Sequence, residues 1–356
     1  ALYKMNIIWW IVIVIAIIIV IVLLVIAIKF IFQHRELEIP IDCRSLEIVD
    51  RIQLEPEGTK LISFNPSIVK YDDEYLIIYR INPASGLVTG RYKIGMTILD
   101  KDFNIERNTS FLDVPDRYLF VNGYMDPRVF IHNDQTYALV IVYHSVGINI
   151  LPIPRMHLIK LNIINRTIES DQTIIPYHEG IDSVQKNWNY LDITHAHNPI
   201  FVARINPMTI VSLDIDTAVP KTLFSTHCQS IDDKLIGKNI YKRINGGTKA
   251  IRINNKFVAI GHTKITRSGN MDFIFANFFY EFSTKSPYAI TRFSDEFSIP
   301  TGRFKKDKSE KIQMITGLEI KDNEEVIITA GINDRFMIGV TCSKKVIENM
   351  LNENIV

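Results

Sequence analysis

The stretch NGYMDPRVF, Asn122 to Phe130, sets an acid, Asp126, one proline away from a base, Arg128, at the head of a run of strand-forming residues. An Asp before Pro usually opens a turn and caps its backbone. Held at the mouth of a strand, the same carboxyl group can pass a proton to a substrate. Residues of similar chemical promise recur along the chain. Asn65 precedes Pro66, Arg80 closes the run YLIIYR, Arg91 opens RYKIG, Lys186 and Asn187 precede Trp188, Gly247 and Thr248 end a Gly-Gly-Thr triplet, and His262 ends FVAIGH. One carboxylate among Arg80, Arg91, Arg128, Lys186 and His262 points to an anionic co-substrate such as phosphate, because such cations bind and neutralise phosphoryl oxygens. Inverting hydrolysis would need a second carboxylate as base. None stands at an equivalent position, which leaves Asp72, Glu179, Asp192 and Glu319 elsewhere in the chain. Trp188 reads either as a face for a sugar ring or as a core residue, the commoner fate of Trp. His195 and His197 lack a third ligand at metal-site spacing, so no metal is expected.

The elements that must bring these residues together are short and β-rich. The runs YLIIYRI, YALVIVYH, MTIVSLDI, KFVAIGHT and EVIITAGI each follow a polar or Gly-containing turn, as in antiparallel hairpins. Their starting points fall in phase. From Asn65 to Asp126 is 61 residues, from Asp126 to Asn187 is 61, and from Asn187 to Gly247 is 60. The next step, to Gly317, is 70 and contains the charged insertion GRFKKDKSEK. A near-constant period predicts an all-β, five-bladed β-propeller, with the start of each innermost strand facing one mouth of the central channel. A β-sandwich needs no such period. Asn65, Asp126, Lys186, Gly247 and Thr316 are therefore expected around one funnel.

Forty Lys and Arg against 39 Asp and Glu leave no global charge to attract nucleic acid. Cys43, Cys228 and Cys342 lie far apart with no C-x-x-C spacing, which argues against a zinc site. Ile7 to Ile28 carries no charge, Gly or Pro. As a helix it would reach roughly 33 Å, enough for a hydrocarbon core. Trp9 and Trp10 suit one interface, and Lys29 and Arg35 lie beyond the other end. The expected layout is a transmembrane signal anchor over 1–32, a stem over 33–54 and the propeller over 55–356. The protein would be single-pass, attached through residues 7–28. A lumenal or extracellular propeller (type II) suits the sequons Asn108-Thr109-Ser110 and Asn165-Arg166-Thr167, although flanking charges nearly balance.

From about Phe64 to Met350 the motifs resemble the five-bladed propellers of glycoside hydrolase family 130 and the related β-1,2-mannosyltransferases and phosphorylases. YLIIYRI with RYKIGMTILD looks like that family's first blade, MDPRVF like its Glu-Asp-Pro-Arg motif, QKNW like its Lys-Asn-Trp segment, and NGGTKAI with FVAIGH like its Gly-Gly-Thr and strand-end His. The resemblance implies that Asp126 is the general acid. It implies that Asn65, Arg80, Arg91, Arg128, Lys186, Asn187, Gly247, Thr248 and His262 bind a mannose-containing glycan and phosphate, or a nucleotide sugar in the transferase direction, with no further cofactor. The implied enzyme is a membrane-anchored, inverting mannoside phosphorylase or mannosyltransferase. The alternatives are a non-catalytic glycan-binding propeller and a five-bladed glycoside hydrolase. Two positions depart from the family pattern: Met125 replaces Glu before the Asp, and Lys249 replaces a frequent Pro.

Overall fold

The computed structural model describes residues 9–10, 12–25, 43–56, 62–82, 92–110, 123–144, 153–174, 186–193, 196–236, 242–266, 273–300 and 312–356. It divides into two units, 1–42 and 43–356.

In the first unit, residues 9–10 and 12–25 are helical with exposed side chains. Among the described residues no helix is long and apolar enough to cross a membrane. The helix 12–25 would reach about 21 Å, short of a hydrocarbon core. The expected span over 7–28 is thus not met by a described helix; its two ends lie outside the described residues.

The second unit is an all-β propeller. Blade I is built from Ile62–Tyr71, Glu74–Asn82, Lys93–Leu99 and Ile105–Ser110, hydrogen-bonded in chain order. Blade II is Tyr124–His132, Gln135–His144, Ile153–Asn162 and Thr167–Thr173, and blade III is Asn189–Leu191, Ile200–Arg204, Met208–Leu213 and Pro220–Thr226. The last regular blade, blade V, runs Gln313–Ile320, Glu325–Ile332 and Phe336–Ser343, and takes its outer strand from Arg51–Ile52. Between blades III and V lies an eight-stranded sheet built on the long hairpin Lys256–Thr266 and Phe273–Ser283. The fivefold period therefore appears as four regular blades and one enlarged sheet.

Alternation of side chains explains how the sheets pack. Successive residues of a strand face opposite sides, so each strand feeds two interfaces. Leu76 and Ile78 pack toward blade II with Val129, Val140 and Ile159. Ile77 and Tyr79, one residue out of phase, pack toward blade V with Ile327 and Met337. The remaining three clusters fill the junctions between blades II and III, blade III and the large sheet, and the large sheet and blade V. Trp188 belongs to the cluster between blades II and III and is 2% exposed, so it is a core wedge and not a sugar platform.

The ring is closed from the amino-terminal side. Arg51–Ile52 pairs with Phe336–Ser343, and Arg44–Ser45 pairs with Phe297–Ser298. The segment expected as stem thus supplies strands, and the propeller unit begins at Cys43 instead of residue 55. No disulfide links Cys43, Cys228 or Cys342. Deleting residues 1–42 should leave a folded propeller. Deleting 1–54 should not, because it removes buried Ile52 and Leu54 and the closing strand, worth about 3 to 6 kcal/mol from side-chain burial alone. Melting curves of the two truncations check this. Equal stability would refute the closing role.

Candidate active site

The residues that head the inner strands share an unusual backbone. Asn65, Asp126 and Asn187 have φ of 55°, 50° and 67°. That left-handed region costs most L-residues energy but is accessible to Asn and Asp. In blades I, II and V the strand pairing slips at the same place, between Phe64 and Ser67, Met125 and Arg128, and Ile315 and Gly317. These are β-bulges, which re-aim a side chain and tolerate proline within a sheet. Pro66 and Pro127 sit in them. The Asp-Pro pair is therefore a bulge at a strand mouth, not a surface turn.

The bulges join one blade to the next. Asn65 Nδ2 donates to Asp126 Oδ1 at 2.7 Å. Arg128 Nη2 donates to Asn187 Oδ1 at 3.0 Å. Thr316 Oγ1 donates to the Pro66 carbonyl at 2.6 Å. Gly247 fits between two carbonyls: a Cβ there would lie 2.5 Å from the oxygen of Ile260 and 3.0 Å from that of Ile315. Thr248 Oγ1 accepts the Ile260 N–H at 3.0 Å. Asn65, Asp126, Asn187, Gly247, Thr248 and Thr316 thus surround one axis. Arg91 and Glu179 lie outside the described residues.

Asp126 is 8% exposed and, among the described residues, pairs with Arg80, whose Nη1 lies 3.5 Å from Oδ1. Burial alone would raise its pKa. The charges of Arg80, Arg128 and Lys186, with the Asn65 hydrogen bond, outweigh this and hold it below the usual carboxylate value. Burial pushes the Arg128 guanidinium down to about 10, against the pull of Asp126. His262 is pushed down to about 3, first by burial and then by the charges of Arg128, Lys186 and Lys264, so its imidazole is neutral at pH 7. The cations outnumber their counter-ion. Nε of Arg80, Nε of Arg128 and Nδ1 of His262 are buried without a hydrogen-bond partner, as is Asn65 Oδ1. Buried donors left unpaired are costly, and a bound anion would satisfy them.

Sequence reasoning passed over Asp334. It follows the second strand of blade V at φ 52° and is open to solvent. The protein mass around it raises its pKa, the charge of Asp126 adds to the rise, and Arg80 and Lys186 oppose it. An exposed carboxylate that is nevertheless desolvated by its surroundings fits a concave wall. Second strands deliver Arg80 and His262 to the same region; that rule, applied to ITAGIND, would have found Asp334. Of the other carboxylates considered, Glu319 is committed to Lys249 Nζ and to the Lys70 N–H. Asp72 sits in the hairpin turn between Tyr71 and Glu74. Among the described residues no group of three His, Cys, Asp or Glu could hold a metal ion.

Neither a protein-family model nor a curated protein matches the chain. Solved structures do. A β-1,2-mannobiose phosphorylase from Listeria innocua, in complex with β-1,2-mannobiose, is similar at a TM-score of 0.57 and 13% identity, covering 85% of this chain and 96% of that one. A mannose phosphorylase from Leishmania mexicana, in complex with a phosphate ion, is similar at 0.51 and 13%, covering 84% and 89%. A glycosyl hydrolase from Bacteroides ovatus is similar at 0.55 and 15%, covering 80% and 85%. At this level of identity the likeness is one of fold: the chain has the propeller fold of the mannoside phosphorylases and their glycosidase relatives.

Proposed function

We propose that the protein is a carbohydrate-active enzyme that cleaves or forms a β-mannosidic bond by inverting transfer to or from phosphate. One observation carries the reading: a single buried carboxylate, Asp126, stands among Arg80, Arg128 and Lys186, whose positive charge exceeds its own. Phosphate held by these cations attacks the anomeric carbon. The bond to the leaving sugar oxygen breaks on the opposite face. Asp126 supplies the proton to that oxygen, directly or through a sugar hydroxyl, and mannose 1-phosphate is formed with inverted configuration. Neutral His262 and Asn187 serve as polar contacts to the bound groups. A nucleotide sugar would use the same cations in the transferase direction.

The acid must be protonated to act, yet its surroundings favour the carboxylate. Phosphate resolves the conflict. By sharing Arg80, Arg128 and Lys186 it withdraws their stabilisation of the carboxylate, so the pKa of Asp126 rises on binding. Asp334 favours a second reading, in which water replaces phosphate and this carboxylate is the base. Loss of phosphate dependence, with Asp334→Asn abolishing turnover, would select it. The exposed apolar side chains of helix 12–25 support a membrane-attached enzyme. Full-length protein should float with lipid vesicles and the form lacking residues 1–42 should not; sedimentation of both would refute attachment.

With phosphate and β-1,2-mannobiose, wild-type protein should release mannose 1-phosphate, whereas saturable sugar binding without turnover would mark a binding module. Asp126→Asn should lower turnover by roughly 10² to 10⁴-fold. It should also lower the melting temperature, because it removes the counter-ion of three cations. Arg128→Ala should mainly raise the KM for phosphate. Intact turnover in Asp126→Asn would return this residue to a structural role.

Calorimetry of phosphate binding in two buffers of different ionisation enthalpy, at pH values stepped down from 7 toward the ordinary carboxylate range, should show net proton uptake that grows as the pH falls, after correction for phosphate's own titration. Proton release, or no uptake at any of these pH values, would contradict the coupling.

A further inference from the structure

Among the described residues Arg80 is the cation paired with Asp126, but the pair is loose. The gap from Nη1 to Oδ1 is 3.5 Å, long for a charge-assisted hydrogen bond. The guanidinium instead lies against two rings. Its carbon is 3.7 Å from the centroid of Tyr92 and 4.4 Å from that of Phe64. Both distances are well inside the range of a cation–π contact, which is worth most when desolvated. Arg80 is only 9% exposed.

The ring of Tyr92 is itself anchored by the opening of blade II. Tyr92 pairs with Gly123 in an isolated parallel bridge, three residues before Asp126. Gly123 has φ 86°, and a Cβ there would fall 2.2 Å from the Tyr92 carbonyl oxygen and 2.7 Å from its nitrogen. Only glycine lets the two backbones approach so closely. The glycine of NGYMDPRVF thereby fixes the backbone of the residue whose ring rests on the partner of that motif's acid.

We propose that Tyr92 is a positioning residue that keeps the Arg80–Asp126 pair loose, so that the guanidinium faces an incoming anion and is not drawn into a tight internal ion pair. The inference rests on the reading of this site as a phosphate site. Phe64 shares the task from within blade I; Tyr92 contributes the contact that depends on the junction with blade II. Among the described residues, the charged groups that act on Asp126 are Arg80, Arg128 and Lys186, and Asp126 in turn acts on Asp334. Of these, Arg80 is the one stacked on rings. Without the Tyr92 ring it would swing onto the carboxylate and leave the anion one ligand short.

The test uses full-length protein and inorganic phosphate as the probe, with binding followed by calorimetry. Tyr92→Phe keeps a ring and should bind phosphate within about twofold of wild type. Tyr92→Leu should bind about tenfold more weakly with a melting temperature close to wild type, and the alkaline limb of its activity profile, which reports loss of the Asp126 proton, should move to lower pH. Tyr92→Met, of similar volume to Leu but longer and more adaptable, replaces the Leu variant if that one fails to fold. A folded Leu or Met variant that binds phosphate as wild type does would overturn the proposal. So would equal losses in the Phe and Leu variants, since these would trace the effect to the hydroxyl. Failure of wild-type protein to bind phosphate at all would instead strike the phosphate reading itself, and this inference with it.

Discussion

Among the described residues, one buried negative charge meets the buried cations Arg80 and Arg128 and the exposed Lys186, and this is the constraint on which the site depends. A carboxylate at 8% exposure is tolerable only because Arg80, Arg128 and Lys186 surround it and Asn65 donates to it. The reverse also holds. Arg80 and Arg128 are about as buried as Asp126, and one carboxylate cannot satisfy both. Ion pairs of this kind contribute little net stability, since desolvation offsets attraction. Orphaned Nε groups make the imbalance worse. A site kept at such cost is suited to a ligand that brings its own negative charge.

The propeller makes the cluster affordable by spreading its members over separate blades. Asn65 and Arg80 come from blade I, Asp126 and Arg128 from blade II, Asn187 from the entry to blade III, His262 from the large sheet and Asp334 from blade V. Each is fixed by its own hydrophobic interface, and those interfaces do not depend on the polar centre. Hydrogen bonds between neighbouring bulges, such as Val129 N–H to Ser67 Oγ at 3.0 Å and Thr316 Oγ1 to the Pro66 carbonyl, tie the inner strands into a ring. The ion pair between Lys249 and Glu319 adds a tie between the large sheet and blade V. Lys249 here serves as an internal strut.

What the sequence made legible was the recurrence. Equal spacing of Asn65, Asp126, Asn187 and Gly247 located the inner strands, and alternation within YLIIYRI or EVIITAGI located the buried faces. The conformation that makes those heads useful was not legible. A left-handed Asn or Asp in a bulge has no signature beyond the residue itself, and Asp-Pro reads more naturally as a turn. Trp188 was ambiguous because a Trp beside Lys and Asn looks alike on a funnel wall and in a core. Asp334 was missed because Asn333-Asp334 resembles an ordinary hairpin turn; its meaning lies in the strand before it. The contact of Tyr92 with Arg80 depends on a bridge to Gly123 that local pattern does not encode.

A crystal of the protein soaked in inorganic phosphate tests the central claim most directly. The account predicts one phosphate within hydrogen-bond distance of the guanidinium groups of Arg80 and Arg128, on the axis beside Asp126. A site that stays empty of anion at saturating phosphate, or phosphate bound only at surface lysines away from Asp126, would contradict it.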